Sequence, residues 1–144
     1  MKLPFVALAA LAAALIAAPA QAQEQIVTTQ LDSAVVLMAG QGFTPADDAV
    51  RGSLDQGEDE EFELELEAGK TYIIMAVCDG DCSDLDLALT SSGQDVDSDY
   101  EPDDVPMVMV EVERSATYNL KVEMATCSVE PCAFGVAVFA NGGR

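Results

Sequence analysis

Two acidic stretches hold the side chains that are most capable of chemistry in this chain. One follows an apolar run and spans residues 79–86, and the other spans residues 95–104. Hard cations such as Ca²⁺ bind several carboxylate and carbonyl oxygens that are held on loops. If turns bring both stretches to one end of the fold, a cation would relieve their mutual repulsion. The sequence therefore makes calcium a candidate cofactor, with candidate ligands Asp79, Asp81, Asp84, Asp86, Asp97, Asp99, Asp103 and Asp104.

A structural role is the alternative for these aspartates. Their spacing lacks the D-x-D-x-D-G order and terminal Glu of an EF-hand loop. Asp79-Gly80-Asp81 and Asp103-Asp104 also fit plain turns, where Asp is favoured by local side-chain hydrogen bonds. Asp86 falls inside a predicted strand, where Asp is disfavoured. We expect Asp86 to bind backbone N–H groups or an ion, and we favour the structural role.

The composition argues against catalysis. The sequence has no His, which removes the commonest general base, the Ser-His and Cys-His nucleophiles and most catalytic zinc sites. Paired carboxylates can hydrolyse glycosides. With 26 acidic residues no pair stands out, and the absence of Trp together with only three Tyr leaves few platforms for sugar stacking. We therefore expect no catalytic residues and a non-enzymatic protein.

Four cysteines point to an oxidising compartment. They are Cys78, Cys82, Cys127 and Cys132. Three pairings are open, and we favour Cys78–Cys82 with Cys127–Cys132 because each pair brackets a turn-like segment. A crossed pairing would require the two loops to be neighbours. Zinc is the competing interpretation, which an exported chain without His disfavours.

The N-terminus is typical of a secretory signal peptide over residues 1–22. Lys2 precedes an apolar run over residues 5–18, and Ala20-Gln21-Ala22 fits a cleavage site after Ala22. The run is shorter than the ~20 residues of a comfortable transmembrane helix. An uncleaved anchor is the alternative. We expect export to the periplasm or the extracellular space, with no membrane span after cleavage.

The net charge of −20 restricts the partners. Nucleic acids and anionic membranes both reward Lys and Arg, so neither is expected. The charge fits a divalent-cation binder or a partner with a basic face. The alternative is that the acidity serves solubility alone.

Hydrophobic periodicity predicts one short helix followed by strands. Residues 23–50 are predicted to hold a flexible leader and a helix over residues 29–39, whose apolar stripe is Leu31, Ala34, Val35 and Met38. Residues 51–144 form a single predicted domain. Its strands are expected over residues 51–56, 61–67, 72–78, 85–90, 105–112, 116–124 and 134–140, with another near Val96. Strict alternation marks 61–67 and 116–124 as half-buried, and residues 105–112, apolar on both faces, are predicted to be a central strand. Seven or eight short strands with regular turn signals predict an antiparallel, jelly-roll-like β-sandwich.

Residues 61–140 resemble the bacterial pre-peptidase C-terminal domain. The matching features are an alternating strand before Ala68-Gly69-Lys70-Thr71-Tyr72, the Asp84-Leu85-Asp86-Leu87 element, the acidic residues 97–104, and Ala116-Thr117-Tyr118 before a second alternating strand. The resemblance implies a secreted jelly-roll sandwich, and some members of that family bind calcium or matrix proteins. No peptidase precedes the domain here, so a free-standing module is expected. The predicted function is a binding or interaction module for a protein, glycan or surface. The alternative is a structural or protective periplasmic protein with no specific ligand.

Overall fold

The structure is a computed structural model that describes residues 19–142. The predicted signal peptide lies outside the described residues up to position 18, and its residues 19–22 form the first turn of a helix. In chain order the elements are α1 (Pro19–Gly40), β1 (Thr44–Pro45), β2 (Val50–Leu54), β3 (Asp59–Leu66), β4 (Lys70–Cys78), β5 (Cys82–Ser91), β6 (Gln94–Asp99), β7 (Met107–Val112), β8 (Ala116–Cys127) and β9 (Cys132–Gly142).

Two antiparallel sheets form the sandwich. The first sheet has the order β1-β9-β4-β7, with β2 also paired to β9, and the second has the order β3-β8-β5-β6. Without the two-residue β1, the strand orders are β2-β9-β4-β7 in the first sheet and β3-β8-β5-β6 in the second. The chain therefore passes repeatedly between the sheets, and of these eight strands only β5 and β6 are consecutive strands of the same sheet. That order is the jelly roll. This order confirms the predicted all-β, jelly-roll-like sandwich, and residues 19–142 contain the one N-terminal helix that was predicted.

The alternating strands supply the core between the sheets. On β8, Tyr118, Leu120, Val122 and Met124 are all buried, as their spacing predicted. Leu85, Leu87 and Leu89 of β5 are fully buried opposite them. The segment from Tyr72 to Thr90 contributes β4 and β5, each of which lies between two other strands of its sheet. These two consecutive strands therefore connect an interior strand of one sheet to an interior strand of the other.

Helix α1 covers the outer face of the first sheet. Val27, Leu31, Ala34 and Met38 pack on a second hydrophobic cluster, which includes Met75 and Phe139. Close approach needs a small residue beneath the helix: a Cβ added at Gly135 would lie 2.8 Å from side-chain atoms of Val27 and Leu31. The helix is therefore seated on a glycine of β9.

The predicted start of the helix and one residue of its predicted apolar stripe are wrong. The helix begins at Pro19 rather than at residue 29, and the predicted leader 23–28 is helical. Val27 is 1% exposed within that leader, so its burial extends the docked stripe toward the N-terminus. Val35, placed in the predicted stripe, is instead 38% exposed, since the buried positions are 27, 31, 34 and 38.

The predicted central position of residues 105–112 is also wrong. Strand β7 lies at an edge of the first sheet, paired only to β4. Val108, Val110 and Val112 face the core, whereas Met107 and Met109 are exposed on the outer face. The apolar character on both faces thus reflects an uncovered surface rather than a central place in the sheet. Residues 94–99, predicted mainly as loop, form β6.

Candidate functional site

The favoured cysteine pairing is the one in the structure. Cys78 binds Cys82, and Cys127 binds Cys132. Cys82 and Cys127 are direct cross-strand neighbours of β5 and β8, so the two disulfides lie side by side at one end of the sandwich. Two disulfides fit a protein that matures in an oxidising compartment.

Asp79, the first predicted calcium ligand, is occupied by backbone contacts. Its side chain is buried, with a relative exposure of 1%. Oδ1 accepts the N–H of Asp81 at 3.0 Å, and Oδ2 accepts the N–H of Ala133 at 2.6 Å. Asp79 therefore shapes its own turn and ties the β4–β5 loop to the start of β9.

Asp81 joins three parts of the chain at the same end. Its Oδ2 accepts a hydrogen bond from Nε2 of Gln23 on α1 at 2.7 Å. Its backbone carbonyl accepts both the N–H and the hydroxyl of Ser128, in the β8–β9 loop. Both aspartates of the Cys-Asp-Gly-Asp-Cys loop thus hold neighbouring elements together.

Asp97 and Asp99 reach across the open side of the sandwich. Asp97 Oδ2 accepts the N–H of Met109 at 2.8 Å, and Asp99 Oδ2 accepts the N–H of Met107 at 2.9 Å. Strand β6 ends the second sheet and β7 ends the first, so these carboxylates bridge the two sheets at their edges. They satisfy N–H groups that an edge strand would otherwise leave free.

The remaining pair of the acidic stretch shapes the β6–β7 connection. Asp103 accepts the N–H of Val105 through Oδ1 at 3.0 Å, and its carbonyl accepts the N–H of Leu85 at 2.9 Å. Asp104 is exposed beside it. The loop is thereby fastened to β5.

Asp84 and Asp86 differ from the other candidates. Both lie on the outer side of β5, and Oδ1 of each is buried with no hydrogen-bond partner among the described residues. Desolvation and then the charge of Asp103 raise the pKa of Asp84 above its ordinary value. Desolvation, followed by repulsion from Asp84, Glu123 and Asp99, raises the pKa of Asp86.

The eight predicted ligands therefore do not form one coordination sphere. Within residues 19–142, no group of three or more Cys, Asp or Glu side chains is placed to hold a metal ion. The carboxylates of Asp79, Asp97, Asp99 and Asp103 are already bound to backbone N–H groups. Calcium binding stays a prediction, and it now depends on Asp84 and Asp86.

The strand register brings together an acidic surface that the linear sequence did not reveal. On the outer face of the second sheet, Glu123 of β8 lies opposite Asp59 of β3 on one side and Asp86 of β5 on the other. The next row places Glu61 opposite Lys121, and the row beyond places Glu63 opposite Asn119. We call this surface the acidic face, and it consists of Asp59, Glu61, Glu63, Glu65, Asp84, Asp86, Lys121 and Glu123.

Within residues 19–142, Lys121 is the one basic residue of the acidic face. Its Nζ lies 3.1 Å from Oε2 of Glu123. That hydrogen bond raises the pKa of Lys121, and the charges of Glu123 and Asp59 add to the effect. One lysine among rows of carboxylates leaves the face strongly negative. The alternation of residues 61–67 predicted a half-buried strand, whereas the alignment of its glutamates with β8 and β5 required the register.

Comparisons with known proteins identify no family for this chain. No family model matches the chain. No curated protein matches it. Among solved structures, the chain is similar to the crystal structure of Aeromonas hydrophila PliG, a periplasmic lysozyme inhibitor of g-type lysozyme. The TM-score is 0.49 and the sequence identity 14%, over 65% of this chain and 85% of that one.

The described residues contain no helix with the length and apolar character that a membrane crossing requires.

Proposed function

We propose that this chain is an exported, non-enzymatic module that binds a protein with a cationic surface. The observation that carries the proposal is the acidic face, where Asp59, Glu123 and Asp86 stand in one cross-strand row. Like charges directly opposite each other on a sheet are unfavourable. A partner that supplies Lys or Arg side chains would remove this repulsion and gain attraction at the same contact.

The size of the charge favours binding over solubility alone. A small domain stays soluble with a net charge of about 2 to 8 in magnitude, whereas this chain carries −20. A field of one sign steers an oppositely charged partner and raises its association rate. The alternative is a protective periplasmic protein with no ligand. Such a role does not explain why the charge is concentrated on one sheet.

A protein partner fits better than the other candidate classes. The chain has no Trp and three Tyr, which gives little surface for stacking sugar rings. Anionic membranes and nucleic acids would be repelled. The predicted signal peptide and the two disulfides support a partner outside the cytoplasm. The resemblance to the pre-peptidase C-terminal domain stays a prediction.

A random peptide library displayed on phage tests the proposal without knowledge of the partner. We expect selection at about 0.15 M ionic strength to enrich Lys- and Arg-rich peptides. The double variant Glu61→Gln/Glu63→Gln should bind these peptides with slower association. The matched control Asp47→Asn/Asp48→Asn removes the same charge from the exposed β1–β2 loop and should have a smaller effect. Selection of neutral or acidic peptides would overturn the proposal.

Calcium is a second candidate ligand, favoured by one observation. Asp84 and Asp86 each hold a buried carboxylate oxygen without a hydrogen-bond partner in residues 19–142. A cation between them would supply the missing contact and offset their repulsion. Calcium at millimolar concentration should then raise the melting temperature of the wild type but not of Asp86→Asn. An equal response of the two proteins would contradict this site.

A further inference from the structure

An apolar groove runs between α1 and the β7 edge of the first sheet. Its volume is about 270 Å³. Gln30, Ser33 and Leu37 of α1 form one wall, Met75 and Val77 of β4 form the floor, and Val105 forms the opposite wall. The groove exists because α1 packs mainly over β9 and leaves the far side of β4 and the outer side of β7 uncovered.

Two exposed methionines extend the groove along β7. Met107 lies opposite Met75 in the register, and Met109 lies opposite Ile73, so all four point to the same side of the sheet. Met107 is 43% exposed, Met109 55% and Leu37 56%. Exposed apolar side chains grouped on one side of a sheet are typical of an interaction surface. Methionine adapts its shape to different partners, which suits a binding site.

The free edge of β7 limits how a partner can bind. An extended peptide could add to an edge strand through backbone hydrogen bonds. Here Asp97 and Asp99 already accept the N–H groups of Met109 and Met107. Strand addition is therefore blocked at these positions, and an occupant must bind by inserting side chains.

Gln30, which lines the groove, also has one polar atom without a partner among the described residues. Oε1 of Gln30 is buried and accepts no hydrogen bond from any described residue. A buried acceptor left unpaired costs about 1–3 kcal/mol. Reorientation of the Gln30 side chain toward the groove would let an N–H donor of the occupant satisfy this oxygen.

The charges around the groove favour a cationic occupant. Carboxylates flank the apolar strip: Asp104 precedes Val105, Glu111 follows Met109 on the same outward side, and Asp97 and Asp99 line the strand edge. No Lys or Arg lines the groove in the described residues. A second copy of the chain would bring the same carboxylates, whereas a cationic segment would be attracted.

We propose that the groove binds a protein segment that inserts an apolar side chain between flanking Lys or Arg residues. The inference rests on the proposed function for the cationic nature of the partner. It goes beyond that function because the groove lies on the outer face of the first sheet, so that a partner which also contacts the acidic face would bind the two faces with separate segments.

Matched substitutions on α1 test the groove. Leu37→Gln changes a groove residue, and Val36→Gln changes its neighbour, which is 75% exposed and does not line the groove. The probes are those peptides selected from the random library by the wild-type chain that carry an apolar residue between Lys or Arg residues. Leu37→Gln should speed their dissociation about tenfold, which corresponds to about 1.4 kcal/mol, and leave the salt dependence of association unchanged. Val36→Gln should leave both rates unchanged. Circular dichroism and the melting temperature verify that both variants fold.

The outcomes separate this inference from the proposed function. Enrichment of basic peptides that all lack an apolar residue, or release of the apolar-containing peptides at equal rates from wild type and Leu37→Gln, would overturn the groove and leave the cationic partner standing. A failure to enrich basic peptides would overturn both. A dimer detected by light scattering in the wild type and lost in Leu37→Gln would assign the groove to a second copy and overturn the proposed occupant.

Discussion

Asp97 accepts a hydrogen bond from the backbone N–H of Met109 through Oδ2, at 2.8 Å. This contact joins the last strand of one sheet to the last strand of the other. Asp99 repeats it at Met107, two residues away on each strand. Side chains of the acidic stretch thus close one side of the sandwich and protect an edge that could pair with other chains.

Removal of both carboxylates should open this edge. We expect Asp97→Ala/Asp99→Ala to lose about 1–3 kcal/mol for each N–H that becomes unpaired, reduced by access of water. The exposed edge should also promote self-association. Urea denaturation measures the first effect, and light scattering measures the second. Asp97→Asn/Asp99→Asn keeps an acceptor at each position and should retain most of the stability. Equal losses in both double variants would show that charge, not edge capping, is the role of these residues.

The seat of α1 depends on Gly135. A methyl group there would lie 2.8 Å from Leu31 and Val27, both of which are buried. We expect Gly135→Ala to displace the helix and to cost about 1–3 kcal/mol, as overpacked cores do. Thermal unfolding and hydrogen exchange of the helix amides measure this.

Gly40→Ala is the matched control for the helix. No atom lies within 4 Å of a Cβ added at Gly40. This variant should be as stable as the wild type or slightly more so, because Ala favours helix over Gly by about 1 kcal/mol. A Gly135→Ala protein as stable as the Gly40→Ala protein would contradict the close packing of α1 on β9.

Asp86 should destabilise the fold at neutral pH. Its folded pKa lies above the ordinary value of 3.8, through desolvation and through repulsion by Asp84, Glu123 and Asp99, opposed by Lys121. A carboxyl whose pKa is raised on folding binds protons more readily in the folded state. Its penalty is therefore present above the folded pKa and disappears as the pH falls toward the unfolded pKa.

The variant Asp86→Asn isolates this effect. We expect it to unfold at a higher urea concentration than the wild type at neutral pH, with the difference shrinking as the pH falls toward 3.8. Asp95→Asn removes an exposed carboxylate from β6 and controls for the general change in net charge. An Asp86→Asn protein that is less stable than the wild type at neutral pH would show that Asp86 holds a stabilising contact, such as a bound cation.

Much of the sandwich could be predicted from local pattern. The alternation in β3 and β8 set which side chains face the core, because side chains of a strand point to opposite faces in turn. The short cysteine spacings favoured the observed disulfides. These features depend on neighbours in the chain, so a single sequence contains them.

The features that failed depend on tertiary contacts. Strand β7 is apolar on both sides because Met107 and Met109 border an uncovered groove, a fact that no period reveals. The early start of α1 depends on the burial of Val27 against the first sheet. The aspartates looked alike in the sequence, yet Asp79 binds backbone amides, whereas a buried oxygen of Asp86 has no partner in the part of the chain that the structure describes. The acidic face emerges only when register places Asp59, Glu123 and Asp86 side by side.

The salt dependence of association is the most direct test of the central claim. The measurement compares the association rate of a library-selected cationic peptide with the wild type and with Glu61→Gln/Glu63→Gln. We predict that the wild-type rate falls about tenfold or more between about 0.05 M and 0.5 M salt, as expected for electrostatic steering. The slope should be shallower for the variant. A rate that is independent of salt, or equally dependent in both proteins, would contradict binding through the acidic face.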